Sequence, residues 1–229
     1  MSKKFQEIYD QSIKNPEKFW QEAAEDIFWF KKPTKILNKS KHPFYKWFED
    51  GVTNTCYNAL DIHIDQGRGK KTALIYDSPI TGKKSKFTYD ELRSKVSKFA
   101  GALEQQGTNK GDRVIIYMPM IPEAVIAMLA CARIGAIHSV VFGGFASNEL
   151  ASRIDDSKAK ILITASCGFE PGRTVEYRPL VDGALNLAKH QVEKVILFQR
   201  KGHEVKLNQP LEISWDDALS GANDKDCVE

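Results

Sequence analysis

The rhythm of hydrophobic and polar positions changes near residue 70. From Lys71 onward, apolar residues fall alternately into short continuous runs and helical stripes. Thr72 to Tyr76 and Lys86 to Tyr89 read as strands around the turn-like Ser78-Pro79-Ile80-Thr81-Gly82, which predicts a hairpin. Thr88 and Glu91 have capping-box spacing, and Leu92, Val96, Phe99, Ala100 and Leu103 follow at helical intervals until Gly107. Arg113 to Met118 is expected as a buried strand, Ile121 to Ile134 as a helix closed by Gly135, and Ile137 to Phe142 as a second buried strand. This βαβ unit repeats: a helix from about Asn148 to Ile154, a strand Lys160 to Thr164, a helix Arg178 to Lys189, a strand Lys194 to Phe198. The expected fold class is α/β: an N-terminal extension followed by an incomplete doubly wound, mainly parallel sheet flanked by helices.

Residues 1–70 have a different texture, rich in aromatics and lysine with little regular alternation, and are taken as a separate region before the α/β part at 71–229. Asn15 followed by Pro16 starts a short helix with Phe19, Trp20 and Ala23 on one face. Phe28, Trp29, Phe30, Phe44, Tyr45, Trp47 and Phe48 are too dense for a solvated loop. A stacking platform or packing onto a neighbouring domain both fit them, packing better.

Composition narrows the classes. The chain has 229 residues, 42% hydrophobic and 28% charged, ordinary for a globular protein. Its net charge of +3 is spread without a basic run, which argues against nucleic acid. The strongest apolar stretch, Ala124 to Cys131, is too short to cross a bilayer, and the mixed-charge segment Met1 to Lys14 matches neither a secretory nor a transit signal, so a cytoplasmic location is expected. Cys56, Cys131, Cys167 and Cys227 have no close-pair spacing and read as core or surface thiols. Asp61, Asp155 and Asp156 lack partner carboxylates at coordinating spacing, so no metal site is assigned, and neither His63 nor His138 is given a catalytic role.

In a doubly wound sheet, ligands bind at the carboxyl ends of the strands, which directs attention to the loops after Met118, Phe142, Thr164 and Phe198. The second reads Val141-Phe142-Gly143-Gly144-Phe145. Paired glycines there let a ligand approach the backbone, or serve a turn at positive φ. The third, Ala165 to Arg173, is awkward for any regular element, and its Arg173 is a candidate phosphate clamp or a solvated surface arginine.

These segments together resemble the short-chain acyl-CoA synthetases of the acyl-adenylate-forming superfamily, nearly end to end. Trp47-Phe48, Asn54, Tyr57-Asn58, Leu60-Asp61 and His63 resemble the family's entry motif, although Ile62 stands where an arginine is commoner. Tyr117-Met118-Pro119 with Pro122-Glu123, Arg133 to His138 and Val141 to Phe145 continue the match in order. Gly168 to Arg173 with Val175-Glu176-Tyr177 looks more like the propionate-preferring members, because the acetate enzymes usually carry an arginine at Glu170. The resemblance implies an ATP-dependent ligase that converts a short-chain carboxylic acid to an acyl-adenylate and passes it to coenzyme A, with magnesium offsetting phosphate charge. It implies that Phe142, Gly143 and Gly144 flank the coenzyme A nucleotide and that Arg173 lies near its phosphates, with Glu170 removing one positive contact. The family's Thr/Ser/Gly-rich phosphate loop ending in Pro-Lys-Gly does not occur here, and its catalytic lysine has no candidate, so no residue is given a catalytic role. The chain is therefore expected to be a truncated N-terminal part, inactive alone, lacking the downstream part of the same enzyme and prone to self-association through uncovered apolar surface. The rival readings are an acetyl-CoA synthetase of the same family and a stand-alone nucleotide- or coenzyme A-binding module without catalysis. A dinucleotide-dependent oxidoreductase is disfavoured, since no G-x-G-x-x-G fingerprint is present.

Overall fold

A computed structural model describes residues 3–229, which divide into two compact units, residues 3–54 with Glu229, and Thr55–Val228. The first unit is built mostly from its own aromatics. Helix α1 (Lys3–Lys14) and helix α2 (Pro16–Ala23) precede a two-residue antiparallel pair, β1 (Leu37–Asn38) with β2 (Lys46–Trp47). Phe5, Ile8, Tyr9 and Ile13 recur at helical spacing in α1, a stripe that its polar, mixed-charge composition conceals. Pro16 occupies the first turn of α2 as expected, but the Asn15 side chain makes no capping bond. Trp29 packs on Phe48 at 5.5 Å and Trp20 on Trp47 at 6.1 Å, whereas Phe44 is exposed. The Asp50 carboxylate closes the loop between them by accepting from the Thr34 hydroxyl at 2.5 Å and the Lys35 N–H at 3.1 Å.

The second unit carries the core. Strands β3 (Thr72–Ser78) and β4 (Lys83–Thr88) form the expected hairpin. Helix α3 (Tyr89–Gln105) then starts on a complete capping box: the Thr88 hydroxyl accepts from the Glu91 N–H at 3.2 Å, and the Glu91 carboxylate accepts from the Thr88 N–H at 2.8 Å. Such a box satisfies two otherwise orphaned donors. Next come β5 (Arg113–Met118), α4 (Pro122–Arg133), β6 (Ile137–Phe142), α5 (Ser147–Ser157) and β7 (Ile161–Ala165). Residues 167–176, read from sequence as irregular, form a tight antiparallel hairpin instead, β8 (Cys167–Glu170) and β9 (Arg173–Glu176), turning at Pro171-Gly172. Four-residue strands broken by glycine and proline are too short to show an alternation, which is why the pattern was hidden. Helix α6 (Arg178–Leu187), β10 (Lys194–Phe198), β11 (Glu212–Ser214) and α7 (Trp215–Leu219) complete the unit.

The main sheet is five-stranded and wholly parallel, in the order β11-β10-β7-β5-β6. Its central strands contribute Val114 to Tyr117 and Ile161 to Ile163, all fully buried. Burying each such aliphatic side chain contributes roughly 1.5–3 kcal/mol. Helices α3 and α4 pack together, as do α5 and α6, and cover the centre of the sheet; β6, expected as a buried strand, instead lies at the sheet edge and leaves Ile137, Val140 and Phe142 exposed. The chain crosses from β5 to β6 in one direction and from β7 to β10 and β11 in the other. Right-handed crossovers therefore send the β5 and β7 connections to opposite faces, which opens a crevice between the carboxyl ends of these two neighbouring strands.

Candidate ligand-binding cavity

A cavity of about 330 Å³ occupies that crevice. Met118 and Pro119 reach it from the end of β5, Phe142 and Gly143 from the end of β6, and Phe169 and Arg200 from beyond β7 and β10. The β3–β4 turn, Ser78 to Thr81, forms its outer wall. All four loops singled out from sequence thus meet at one place.

The two glycines do different jobs. Gly144 has φ +100°, the left-handed backbone that glycine tolerates best, and its N–H donates to the Tyr117 hydroxyl at 3.2 Å. Gly143 does not need positive φ; it needs space, because a Cβ there would collide with the Tyr177 hydroxyl and lie 2.9 Å from the Met118 carbonyl oxygen. Gly168 faces the same phenol, with a would-be Cβ at 2.8 Å. The Tyr117 hydroxyl in turn donates to the Phe145 carbonyl at 2.8 Å, so one buried phenol pins the second half of the 142–145 loop through two adjacent residues. Burial raises the Tyr117 and Tyr177 phenols well above their ordinary range, which keeps both protonated. The pinned loop presents Phe142, 66% exposed, its ring tilted 52° from that of Phe145 at 5.6 Å.

Phe142, Gly143 and Glu170 line the cavity, while Gly144 and Arg173 lie beside its mouth. Gly144 is close to Glu170, whose carboxylate oxygen would be 3.7 Å from an added Cβ. Glu170 and Arg173 face each other across the β8–β9 turn, and Arg173 Nε and Nη2 both contact the Glu170 carboxylate at 2.7 Å. Both contacts end on one oxygen, Oε2, so part of the guanidinium's donor capacity stays open. His63 instead packs at a tilt against Tyr89, ring centres 4.6 Å apart, and contacts Arg68, a structural setting.

Sequence reasoning missed the strongest anion-binding feature of the cavity, Arg200. It is only 8% exposed, its guanidinium lies over the Phe169 ring at 4.7 Å, and its N–H donates to the Ser166 hydroxyl at 2.9 Å. Among the described residues, no hydrogen-bond acceptor or carboxylate pairs with that guanidinium. The Thr81 hydroxyl, buried in the opposite wall, likewise has no hydrogen-bond partner. Polar groups in the interior are nearly always satisfied, so a cavity-lining guanidinium without a protein acceptor marks a position for a ligand anion. In sequence it was a lone charged residue two positions past the run Lys194 to Phe198, with nothing beside it to tell it from a surface arginine.

A doubly wound α/β unit with a glycine-lined cavity at its switch point defines a nucleotide-type ligand-binding architecture. The chain belongs to the AMP-binding enzyme family, whose profile matches residues 63–226; that of the acetyl-coenzyme A synthetase N-terminus matches residues 5–59. It is 52% identical over 218 residues to acyl-CoA synthetase short-chain family member 3, mitochondrial, of Homo sapiens, covering 95% of this chain and 32% of that protein. It is 45% identical to acetyl-coenzyme A synthetase of Streptomyces avermitilis, covering 91% of this chain and 32% of the relative. The fold matches that of acetoacetyl-CoA synthetase from Streptomyces lividans with a TM-score of 0.82 at 23% identity, over 95% of this chain and 33% of that one. The chain thus spans about a third of the length of these relatives. No helix among the described residues is long and apolar enough to cross a membrane.

Proposed function

We propose that this chain is the N-terminal part of an AMP-forming acyl-CoA ligase and supplies much of its coenzyme A seat. The tandem order of the two family matches, 5–59 and then 63–226, carries the reading. Coenzyme A fits the cavity chemically: it offers phosphates for Arg200, an acceptor for the Thr81 hydroxyl, and an adenine face for Phe142. In this reading Gly143 and Gly144 let the ligand approach the backbone without a side chain in the way. Glu170 holds Arg173 at the mouth, where it shares its charge between the carboxylate and an incoming phosphate. Coenzyme A, when bound, supplies the thiol that accepts the acyl group; the residues here bind and orient it.

ATP and magnesium belong to the proposed reaction as well. Among the described residues, the one group of three acid or thiol side chains close enough to hold an ion is Cys56, Asp61 and Cys227, too sulfur-rich for magnesium, which prefers oxygen ligands. No step is routed through that ion here. The acid substrate is propionate in this proposal, on the match of Gly168 to Tyr177 to the propionate-preferring members, and acetate is the alternative. A cytoplasmic location and self-association remain proposals, the first beside a human relative named mitochondrial. Fractionation and sedimentation velocity test them.

The deciding experiment is acid-dependent ATP–pyrophosphate exchange on a protein of the relatives' length that carries this chain, comparing acetate, propionate and butyrate. Exchange strongest with propionate is expected, with none from the 229-residue chain by itself. No exchange with any acid would leave a coenzyme A-binding module without ligase activity.

A further inference from the structure

On the far side of the second unit from the cavity loops, at the end of α4, two thiols, a carboxylate and a guanidinium meet. Cys56 Sγ, Cys227 Sγ and an Asp61 carboxylate oxygen all lie within 4.8 Å of one another. Arg133 sits among them, donating from Nη1 to Cys56 Sγ at 3.5 Å, Cys227 Sγ at 3.1 Å and Asp61 Oδ2 at 2.7 Å, and from Nη2 to Asp61 Oδ1 at 3.0 Å. The Cys227 thiol also reaches Asp61 Oδ2 at 3.6 Å. A guanidinium already at the centre opposes a metal cation there and favours a thiolate.

The sulfurs differ in burial. Cys56 is fully buried in the core, whereas Cys227 is half-buried on the segment 222–228. That segment is laid across α3 and α4 by hydrogen bonds: Ser97 Oγ to the Lys225 carbonyl at 2.7 Å, the Lys225 N–H to Ser97 Oγ at 2.9 Å, and the Val228 N–H to the Arg133 carbonyl at 2.9 Å. Gly101 is required beneath it, because a Cβ there would collide with the Asn223 carbonyl oxygen. The two sulfurs already lie within 4.8 Å of each other, so reaching the bonding distance of about 2.0 Å asks for a closure of under about 3 Å. The thiol of Cys227, hydrogen-bonded to Cys56, lowers Cys56 below the usual thiol range, and the same bond raises Cys227, so the two titrate as a pair. Cys131, by contrast, is pushed up to about 12 by burial alone, the setting of an inert core thiol.

We propose that Cys56 and Cys227 form a reversible intramolecular disulfide that fastens residues 222–228 to the core. The oxidant is a low-molecular-weight disulfide. The Cys227 sulfur, reached from solvent, attacks it, loses its proton and expels one thiolate, leaving a mixed disulfide on Cys227. The Cys56 thiolate then attacks Cys227 Sγ and expels the second thiolate. In sum, two protein thiols and one small disulfide become one protein disulfide and two small thiols, a balanced two-electron exchange. Asp61 keeps its two contacts to Arg133 throughout, so the guanidinium is never left unpaired.

The test is incubation of the whole chain with oxidised glutathione, followed by non-reducing peptide mapping, thiol titration and thermal melting. Expected are a Cys56–Cys227 cross-linked peptide, loss of two of the four free thiols in the folded protein, and a melting temperature higher by roughly 5–15 °C, all reversed by dithiothreitol. Cys227→Ser should abolish the rise, and Cys131→Ser should keep it. Because the peptide map is read on the unsubstituted protein, a variant that folds poorly leaves the test intact. Glutathione retained on Cys227 without the cross-link would overturn the proposal. So would stoichiometric zinc binding that protects both thiols, which would make the cluster a metal site.

Discussion

Two buried arginines at opposite ends of the same unit show what separates a structural side chain from a binding one. Arg133, 2% exposed, spends its donors on Asp61, on two thiols and on the Lys225 carbonyl. Arg200, 8% exposed, rests on an aromatic face and, among the described residues, has no acceptor for its guanidinium. Similar burial thus accompanies opposite bookkeeping of hydrogen bonds. Saturated donors fix the α4 end and the segment laid over it; open donors leave the cavity ready for an anion.

The largest effect should come from the saturated site. Arg133→Met strands the Asp61 carboxylate in the interior and should lower unfolding stability by about 3–5 kcal/mol in urea denaturation. Adding Asp61→Leu should recover much of that loss, and a single-variant loss below about 1 kcal/mol would erase the contrast between the two arginines.

Gly143→Ala comes next. Its methyl group meets the Tyr177 hydroxyl and the Met118 carbonyl, and forced shifts of this kind cost about 1–3 kcal/mol. Tyr177→Phe in the same chain should restore part of the melting temperature, since it removes the hydroxyl that causes the clash. No rescue would mean that the loop adapts some other way.

Smaller again is Glu170→Gln, which releases Arg173 from an exposed ion pair of about 0.2–1 kcal/mol. Coenzyme A binding measured by calorimetry should then tighten about two- to fivefold. Weaker binding would show that Glu170 itself contributes to the seat.

The smallest effect lies outside the second unit and depends on acid. The Thr34 hydroxyl, then the Lys35 N–H, hold the Asp50 carboxyl down from 3.8 to about 2. A carboxyl with a depressed folded pKa contributes stability above its unfolded value, and that contribution is lost as pH falls through the folded one. Asp50→Asn should therefore flatten the acid dependence of melting between about pH 4 and pH 2, and leave it unchanged near neutrality.

The sequence was most legible where one force decides the outcome. Arg113 to Met118 and Lys194 to Phe198 are strands with those same bounds, because a parallel strand buried on both faces must be a continuous apolar run; Ile137 to Phe142 keeps its bounds too but lies at the sheet edge, with Ile137, Val140 and Phe142 exposed. Thr88 and Glu91 announced the start of α3 for a similarly local reason. The β8–β9 hairpin, β11 and α7 stayed hidden, since elements of three to five residues have no period to read. Helix α1 was missed because its four apolar positions are diluted by polar residues such as Gln6, Asp10 and Lys14, which pair with one another along the helix. At the site, the glycine pair could be read as unusual, but only Tyr177, distant in sequence, explains Gly143. Arg200 could not be told from a surface arginine until Phe169 lay beneath it, and the Cys56–Cys227 pair has no sequence spacing at all to reveal it.

Calorimetric titration of coenzyme A into this chain and into its Arg200→Met variant tests the central claim most directly. The account predicts binding that weakens about tenfold or more in the variant, as expected for a lost charge-assisted phosphate contact, with the melting temperature of the free protein nearly unchanged. Equal binding by both proteins would contradict it, placing the ligand elsewhere and leaving Arg200 as packing for Phe169.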